Sequence, residues 1–183
     1  MFLNTGASQD GHIVLQRGLA NKYQVTAKTD NSYSIYGYPA SGEVFNINSS
    51  GHVTNPKQPS FRAGASSGYS GSGTVIVFNT VRHNIGNHYN SSNGRFVAPV
   101  GGVYYFGFQG ISGSSSTSSE QNLTMYVNGV AINDTRMRGY TESSGHMKTV
   151  TVLSANDYVE MKSAQSTDWH GNNWQCFSGY LLG

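Results

Sequence analysis

The sequence predicts an all-β protein, a jelly-roll β-sandwich head carried on a shorter β-rich segment. Apolar residues come in short runs bounded by Gly, Asn, Ser and Pro, and no apolar stripe of helical period is present. Gly, Ser and Asn, which serve tight turns, supply about a third of the chain. With 12 Tyr, 8 Phe and 2 Trp among 183 residues, the chain is too aromatic to be disordered.

The run N-P-K-Q-P at residues 55–59 divides the chain, because its prolines favour extended linker over sheet. Residues 1–58 form the first part, with short weak strands expected at 12–16, 23–25, 33–36 and 44–48. Turn signals D-G, S-G and S-S-G separate them, and G-E-V-F-N-I-N-S-S-G-H-V-T reads as a hairpin feeding the linker. So short a segment holds too little apolar mass for a core of its own, and must borrow one from the rest of the chain or from other copies.

Residues 59–183 read as stronger strands, at 60–65, 74–81, 95–98, 103–112, 122–127, 130–136, 147–154, 157–164 and 174–182. Asn128-Gly129 is a type I′ hairpin signal and S-A-N-D at 154–157 a second tight turn. The stretch V-Y-Y-F-G-F at 103–108 has no polar face, although a half-solvated strand should alternate apolar with polar. Both of its faces require cover.

Charge narrows the function. Eleven basic and nine acidic residues give a net charge of +2 with no basic run, so neither nucleic acid nor an anionic membrane is an expected partner. No leader, apolar span or lipidation motif is visible, and no membrane insertion is expected. Met1 is followed at once by loop-like residues, as in a piece of a longer chain. The single cysteine, Cys176, excludes an intramolecular disulfide and reads as a buried, inert thiol. G-Y-S-G-S-G-T lacks the Lys-Ser/Thr of a phosphate-binding loop, and no Gly-x-Ser-x-Gly elbow or His-Glu-x-x-His pair occurs. His83 and His88, flanking N-I-G-N, read as ordinary histidines rather than metal ligands. Neither a cofactor nor an obligatory metal is expected, and the chain reads as non-enzymatic. Asp134, Glu142 and Asp168 lie in or beside loops where a glycosidase-like carboxylate pair is conceivable, but no motif supports one.

Residues 59–183 resemble the complement 1q globular-head family, which shares its jelly roll with the tumour necrosis factors. The resemblance is carried by P-S-F-R-A, F-N-T-V-R-H-N-I-G-N-H-Y, G-R-F-V-A-P-V-G-G-V-Y-Y-F, L-T-M-Y-V-N-G-V and F-S-G-Y-L-L, in the family's order. A-N-D-Y-V stands where the family usually has Gly-Asp, and no collagen-like stalk precedes the head. The first 58 residues are similar in style to segments preceding receptor-binding heads in bacteriophage tail fibres, and F-N-I-N-S-S-G-H-V-T-N-P-K-Q-P carries that likeness.

Such heads are trimers with their inner sheets around a three-fold axis. The resemblance therefore implies a homotrimer in which Tyr104, Phe106 and Phe108 fill the core while Val103 and Tyr105 face the neighbouring subunit. It also implies apical loops at 110–121, 135–146 and 165–173, with 128–129 and 154–157 turning at the base. The candidate ligand-binding residues of those loops are Arg136, Arg138, Tyr140, His146, Asp168, Trp169, His170 and Asn172. Trp169 between Asp and His suits a sugar's apolar ring face and hydroxyl hem, whereas Trp174 is expected to begin a strand and join the core. The function implied is attachment of a virion, assembled in the host cytoplasm, to a bacterial surface glycan or outer-envelope receptor. The alternatives are an extracellular cellular lectin or cytokine-like ligand, and a purely structural trimerisation cap.

Overall fold

The computed structural model describes residues 8–71, 73–113, 121–135, 137–139, 142–163 and 167–183. The chain divides into two compact units, Met1–Gln58 and Pro59–Gly183.

The first unit is a single five-stranded antiparallel meander, β1 (Gly11–Arg17), β2 (Ala20–Ala27), β3 (Tyr33–Gly37), β4 (Gly42–Ile47) and β5 (Val53–Thr54), paired in chain order. Asn31, Ser41, Gly18 and Gly51 take positive φ at its turns, which explains the D-N-S, S-G and R-G punctuation. Register sorts the side chains by polarity. Ile13 pairs with Val25 and Leu15 with Tyr23; Val25 pairs with Ile35, Ile35 with Phe45, Tyr33 with Ile47 and Ile47 with Val53. Partners across a ladder share a face, so these residues make one apolar face spanning all five strands. The opposite face, Val14 apart, is polar and bonded to itself: Lys28 pairs with Glu43, Tyr38 Oη donates to Gln24 at 2.9 Å, and Asn46 donates to Glu43 at 3.2 Å.

The second unit runs β6 (Ser60–Gly64), β7 (Tyr69–Gly71), β8 (Thr80–Ile85), β9 (Tyr89–Asn90), β10 (Arg95–Val97), β11 (Gly102–Ile111), β12 (Gln121–Val127), β13 (Val130–Ala131), β14 (Met137–Gly139), β15 (Ser144–Leu153), β16 (Tyr158–Lys162), β17 (Thr167–Trp169) and β18 (Cys176–Leu181). An inner sheet has the order β15-β11-β18-β6-β8, an outer sheet β13-β12-β16-β10-β9 with β14 on β12, and β17 pairs with β7. The all-β jelly-roll sandwich is therefore present, with one 3₁₀ turn, Asn133–Thr135, among the described residues.

Aromatic rings fill the space between the sheets. Phe61 stacks on Tyr89 at 4.6 Å and meets Phe177 edge-on at 5.0 Å, while Phe96 contacts Tyr104 and Phe106 at 5.7 and 5.5 Å. Tyr104, Phe106 and Phe108 all lie in this core, on alternate positions of β11, as the resemblance implies. On the outer sheet's other face, buried Glu160 is held by Arg95 Nε and Lys162 Nζ, each at 2.6 Å. Arg95 also lies over the Tyr158 ring and Lys162 over the Tyr126 ring, so the carboxylate is sealed by its own partners.

Two expected strands are corrected. Residues 74–81 make only the isolated bridge of Val75 to Lys162 before β8 begins. Ile76 and Phe78 are buried there because Tyr89 stitches the chain, its hydroxyl accepting from Phe78 N at 3.2 Å and donating to Phe78 O at 3.0 Å. Burial pushes that hydroxyl's pKa up, so it remains a donor. The strand that follows, β8, is a sheet edge with both faces largely wet and shows no apolar alternation. The run 130–136 is broken after Ala131 by the 3₁₀ turn Asn133–Thr135, where Thr135 Oγ1 donates to Ile132 O at 2.7 Å and accepts from Met125 N at 3.0 Å. The two basal turns are as expected: Asn128 and Gly129 both have positive φ, and the Asn128 amide bonds Asp157 Oδ1 at 2.7 Å.

Phe177→Ala removes the ring at the centre of this cluster. It is expected to cost about 3–5 kcal/mol in urea unfolding of the head, with an unchanged m-value.

Candidate functional site

The exposed face of the inner sheet has two chemically different halves. Nearest the basal turns, Val103 pairs with Val152, and Tyr105 sits between Val150 and Tyr180. Val152 is 76% exposed and Val150 59%, and the Tyr105 and Tyr180 rings lie 5.0 Å apart. Val103 and Tyr105, the residues expected to face a neighbour, thus belong to an apolar patch on the side of the sheet away from the core.

One rung further from the base the patch ends. Gly107 lies between Lys148 and Ser178, and Ser178 is paired with Arg62, which pairs with His83. On the next rung Gln109 lies between His146 and Cys176. Arg62 Nε donates to Cys176 Sγ at 3.3 Å. The thiol is thus half-buried on this face beside a guanidinium, rather than in the core where its apolar neighbours suggested. Small residues at 107 and 178 between long flanking ones leave a trough of about 380 Å³. No strand of the inner sheet contains an Asp or Glu, so the trough is basic and polar.

The trough opens into a second groove at the end remote from the basal turns, formed by Gln109, Ile111, Ser144, His146 and Trp174. The expected apical segments do meet here. Ser112 bridges Trp169, His170 N donates to Ile111 O at 3.0 Å, and Ser112 N donates to Ser143 O at 3.0 Å.

The two tryptophans exchange roles relative to expectation. Trp169 has no exposed surface and meets Phe108 edge-on at 5.4 Å, so it is core and no sugar platform. Trp174 is 55% exposed and precedes β18, with the His170 ring edge-on at 5.2 Å. The local sequence explains the exchange. Gly171 passes so close to Ser67 and Gly68 that an added Cβ would lie 2.5 Å from their backbone, so a glycine is required there. Asn172 and Asn173 then take positive φ, donating to Ser66 O and Ala65 O at 3.1 and 2.8 Å, and the chain emerges at Trp174. Counting back from Phe177 with period two puts Phe177 and Gln175 inward and Cys176 and Trp174 outward. That alternation is the signal by which the sequence could have revealed Trp174.

Among the other candidates, His146 is exposed in the groove, His170 is half-buried against Trp174, and Asn172 is exposed in the turn. Arg138 and Asp168 lie on β14 and β17, and their side chains fall outside the described residues. Arg136 and Tyr140 also lie outside the described residues. Arg62, Lys148 and Gln109 join the site although they were not singled out, because strand pairing alone brings them beside His146. Among the described residues no three His, Cys, Asp or Glu gather as metal ligands, and no helix is long and apolar enough to cross a membrane. Burial pushes the His88 imidazole below its usual pKa, and its ring lies edge-on to Phe96.

Comparison with known proteins places this geometry. A family model for the C1q domain matches residues 60–182. Human complement C1q tumor necrosis factor-related protein 3 is 31% identical over 134 residues, which is 68% of this chain and 51% of the relative. Its mouse counterpart is 31% identical over 133 residues, again 68% of this chain and 51% of the relative. The chain thus spans about half the length of the curated relatives it matches. The globular domain of zebrafish complement 1qA superposes with a TM-score of 0.56 at 18% identity, covering 69% of this chain and 98% of that one. Murine APRIL gives 0.53 at 13% identity, covering 69% and 100%, and these likenesses establish the shared fold.

Two substitutions separate the tryptophans. Trp169→Ala is expected to destabilise the head by about 3–5 kcal/mol, whereas Trp174→Ala should change stability by less than about 0.5 kcal/mol. Acrylamide quenching should strike Trp174 alone in the folded protein, so the Trp174→Ala variant should be nearly unquenchable until it unfolds.

Proposed function

Because the chain belongs to the C1q-domain family, we propose that residues 59–183 form the head of a non-enzymatic homotrimer that binds a cell-surface ligand in its apical groove. The observation that carries this reading is the two-part inner sheet. Its basal half exposes Val103, Tyr105, Val150, Val152 and Tyr180, a contiguous apolar patch that packing around a three-fold axis would remove from water. Its apical half stays polar and ends on an exposed indole. Trp174 and His146 offer a ring platform and a hydrogen-bonding edge, while Arg62 and Lys148 favour an acidic group, so an acidic surface glycan fits best.

The setting we propose is the tip of a bacteriophage tail fibre or spike, attaching the virion to a bacterial glycan or outer-envelope protein. What supports it is the β-meander preceding the head and its resemblance in style to fibre segments. A secreted cellular head is the second reading, favoured by the 31% identity to a human complement-related protein. A structural cap is the third.

Labelled protein applied to a panel of bacteria and immobilised glycans separates these. Trp174→Ala and the pair Arg62→Ala, Lys148→Ala are each expected to remain trimeric by sedimentation and to lower binding at least tenfold. Binding to a narrow set of bacteria supports the fibre tip. Binding confined to animal-cell glycans supports the cellular head, and no binding by an intact trimer supports the cap. Val150→Asp with Val152→Asp is expected to yield monomers, and a trimer that survives it would refute the basal patch as the subunit interface.

A further inference from the structure

We propose that the apolar face of the β1–β5 sheet is an assembly surface whose occupants are the same faces of two other copies of this chain. The proposal rests on the trimeric reading of the head and extends it to residues 11–54.

The sheet is inside out for a lone unit. Its polar face is the satisfied one, carrying the Lys28–Glu43 pair, the Tyr38–Gln24 bond and buried Ser34 and Thr26. Its apolar face is open to solvent: Leu15 is 51% exposed, Ile13 50% and Val53 55%, with Tyr23 and Tyr33 also exposed and Val25, Ile35, Phe45 and Ile47 half-buried among them. Every buried hydrophobic residue of the described chain belongs to the head, so this sheet has no core of its own. Single-layer sheets gain stability only by burying one face, and this face is the apolar one.

Charge, area and connectivity point to the occupant. The face carries one charged side chain on its paired positions, Arg17 at the end of β1, and is otherwise uncharged, so it offers little to a strongly acidic or basic partner. An uncharged apolar surface can pack against copies of itself around a closed symmetry axis, because apolar contact is not directional. Five strands about 4.8 Å apart and about five residues long at 3.3 Å each give a footprint on the order of 300–400 Å². That is below the roughly 800 Å² per partner of a self-sufficient interface, so the face closes only among copies already held together. The head supplies that: Pro59 follows directly on Gln58, and a short tether gives local concentrations on the order of millimolar. The head's own large apolar patch is used in its trimer, and its other exposed aliphatics, such as Val97, Val100 and Val130, are scattered.

The test uses the full chain in a Cys176→Ser background, with single cysteines placed on either face at both edges of the sheet. Leu15→Cys and Val53→Cys lie on the apolar face, and His12→Cys and Thr54→Cys, of the opposite parity, lie on the polar face. Each is treated with a short bis-maleimide and run on a denaturing gel, beside sedimentation of the untreated protein. A trimer that gives covalent dimers at least tenfold more from Leu15→Cys or Val53→Cys than from the polar-face controls supports the proposal. A trimer without such dimers, or with equal dimers from both faces, overturns it and leaves the head trimer standing. In that case the face is covered by this chain's own head or by a foreign partner. A monomer overturns the trimeric reading and this inference together.

Discussion

A β-strand shows side chains to two faces, and in β11 residues 103–108 are apolar on both, so the head is organised by how each face leaves the water. The strand lies second in the inner sheet, between β15 and β18, and its Tyr104, Phe106 and Phe108 side anchors the core. Neighbouring core rings meet that side at 5.5–6.4 Å in edge-on and tilted contacts that add to the burial term. The other side sits where no other described part of the head covers it. Ladder geometry carries the same choice across to Val150, Val152 and Tyr180, so the apolar patch is a consequence of register and not of separate placements.

The same rule, applied to the first unit, gives a different outcome because the unit has one layer. There the register puts the large aliphatics except Val14 on one side and hydrogen-bonding groups on the other, and polar groups of that side bond each other within the unit. Two parts of one chain therefore each expose an apolar sheet face, and the proposed closed symmetry would cover both without requiring two unrelated partners.

How much of this was legible in the sequence follows from which features are local. The two apolar faces of β11 and the Asn128-Gly129 turn depend on neighbouring residues only, and both are legible in the sequence, whereas which face of β11 is core came from the family resemblance. The all-β class needed no more than run length and turn composition. Strand β8 was missed because an edge strand wet on both faces has no apolar period, and residues 74–81 looked like a strand because Ile76 and Phe78 are buried by the Tyr89 hydroxyl from another segment. The tryptophans were exchanged for a like reason. The polar neighbours of Trp169 mimic a ligand loop and mask the period-two count running back from Phe177, and the close approach of Gly171 to Gly68 is invisible without the fold. Arg62 and Lys148 are not legible in the sequence, since two residues so far apart in the chain come to flank one trough only through β18 and β11.

The candidate site itself is shallow, and that bears on how it can work. A trough built on a flat sheet face cannot enclose a ligand as a cleft does, and its cations are exposed, where each charge contact contributes little on its own. An exposed indole adds one ring-face contact. A single head would accordingly bind weakly, and useful attachment would come from presenting identical sites together to a surface where the ligand is repeated. Linking weak sites in this way can raise avidity by a factor of about 10²–10⁴ without any new contact, provided the copies are held at fixed spacing. Fixed spacing is what two successive interfaces, one in the head and one in the preceding sheet, would enforce, whereas a head on a free tether would leave each site's orientation to chance. On that reading the apolar face of β1–β5 and the shallow trough would be parts of one design: the first would make rigid what the second needs in order to hold on.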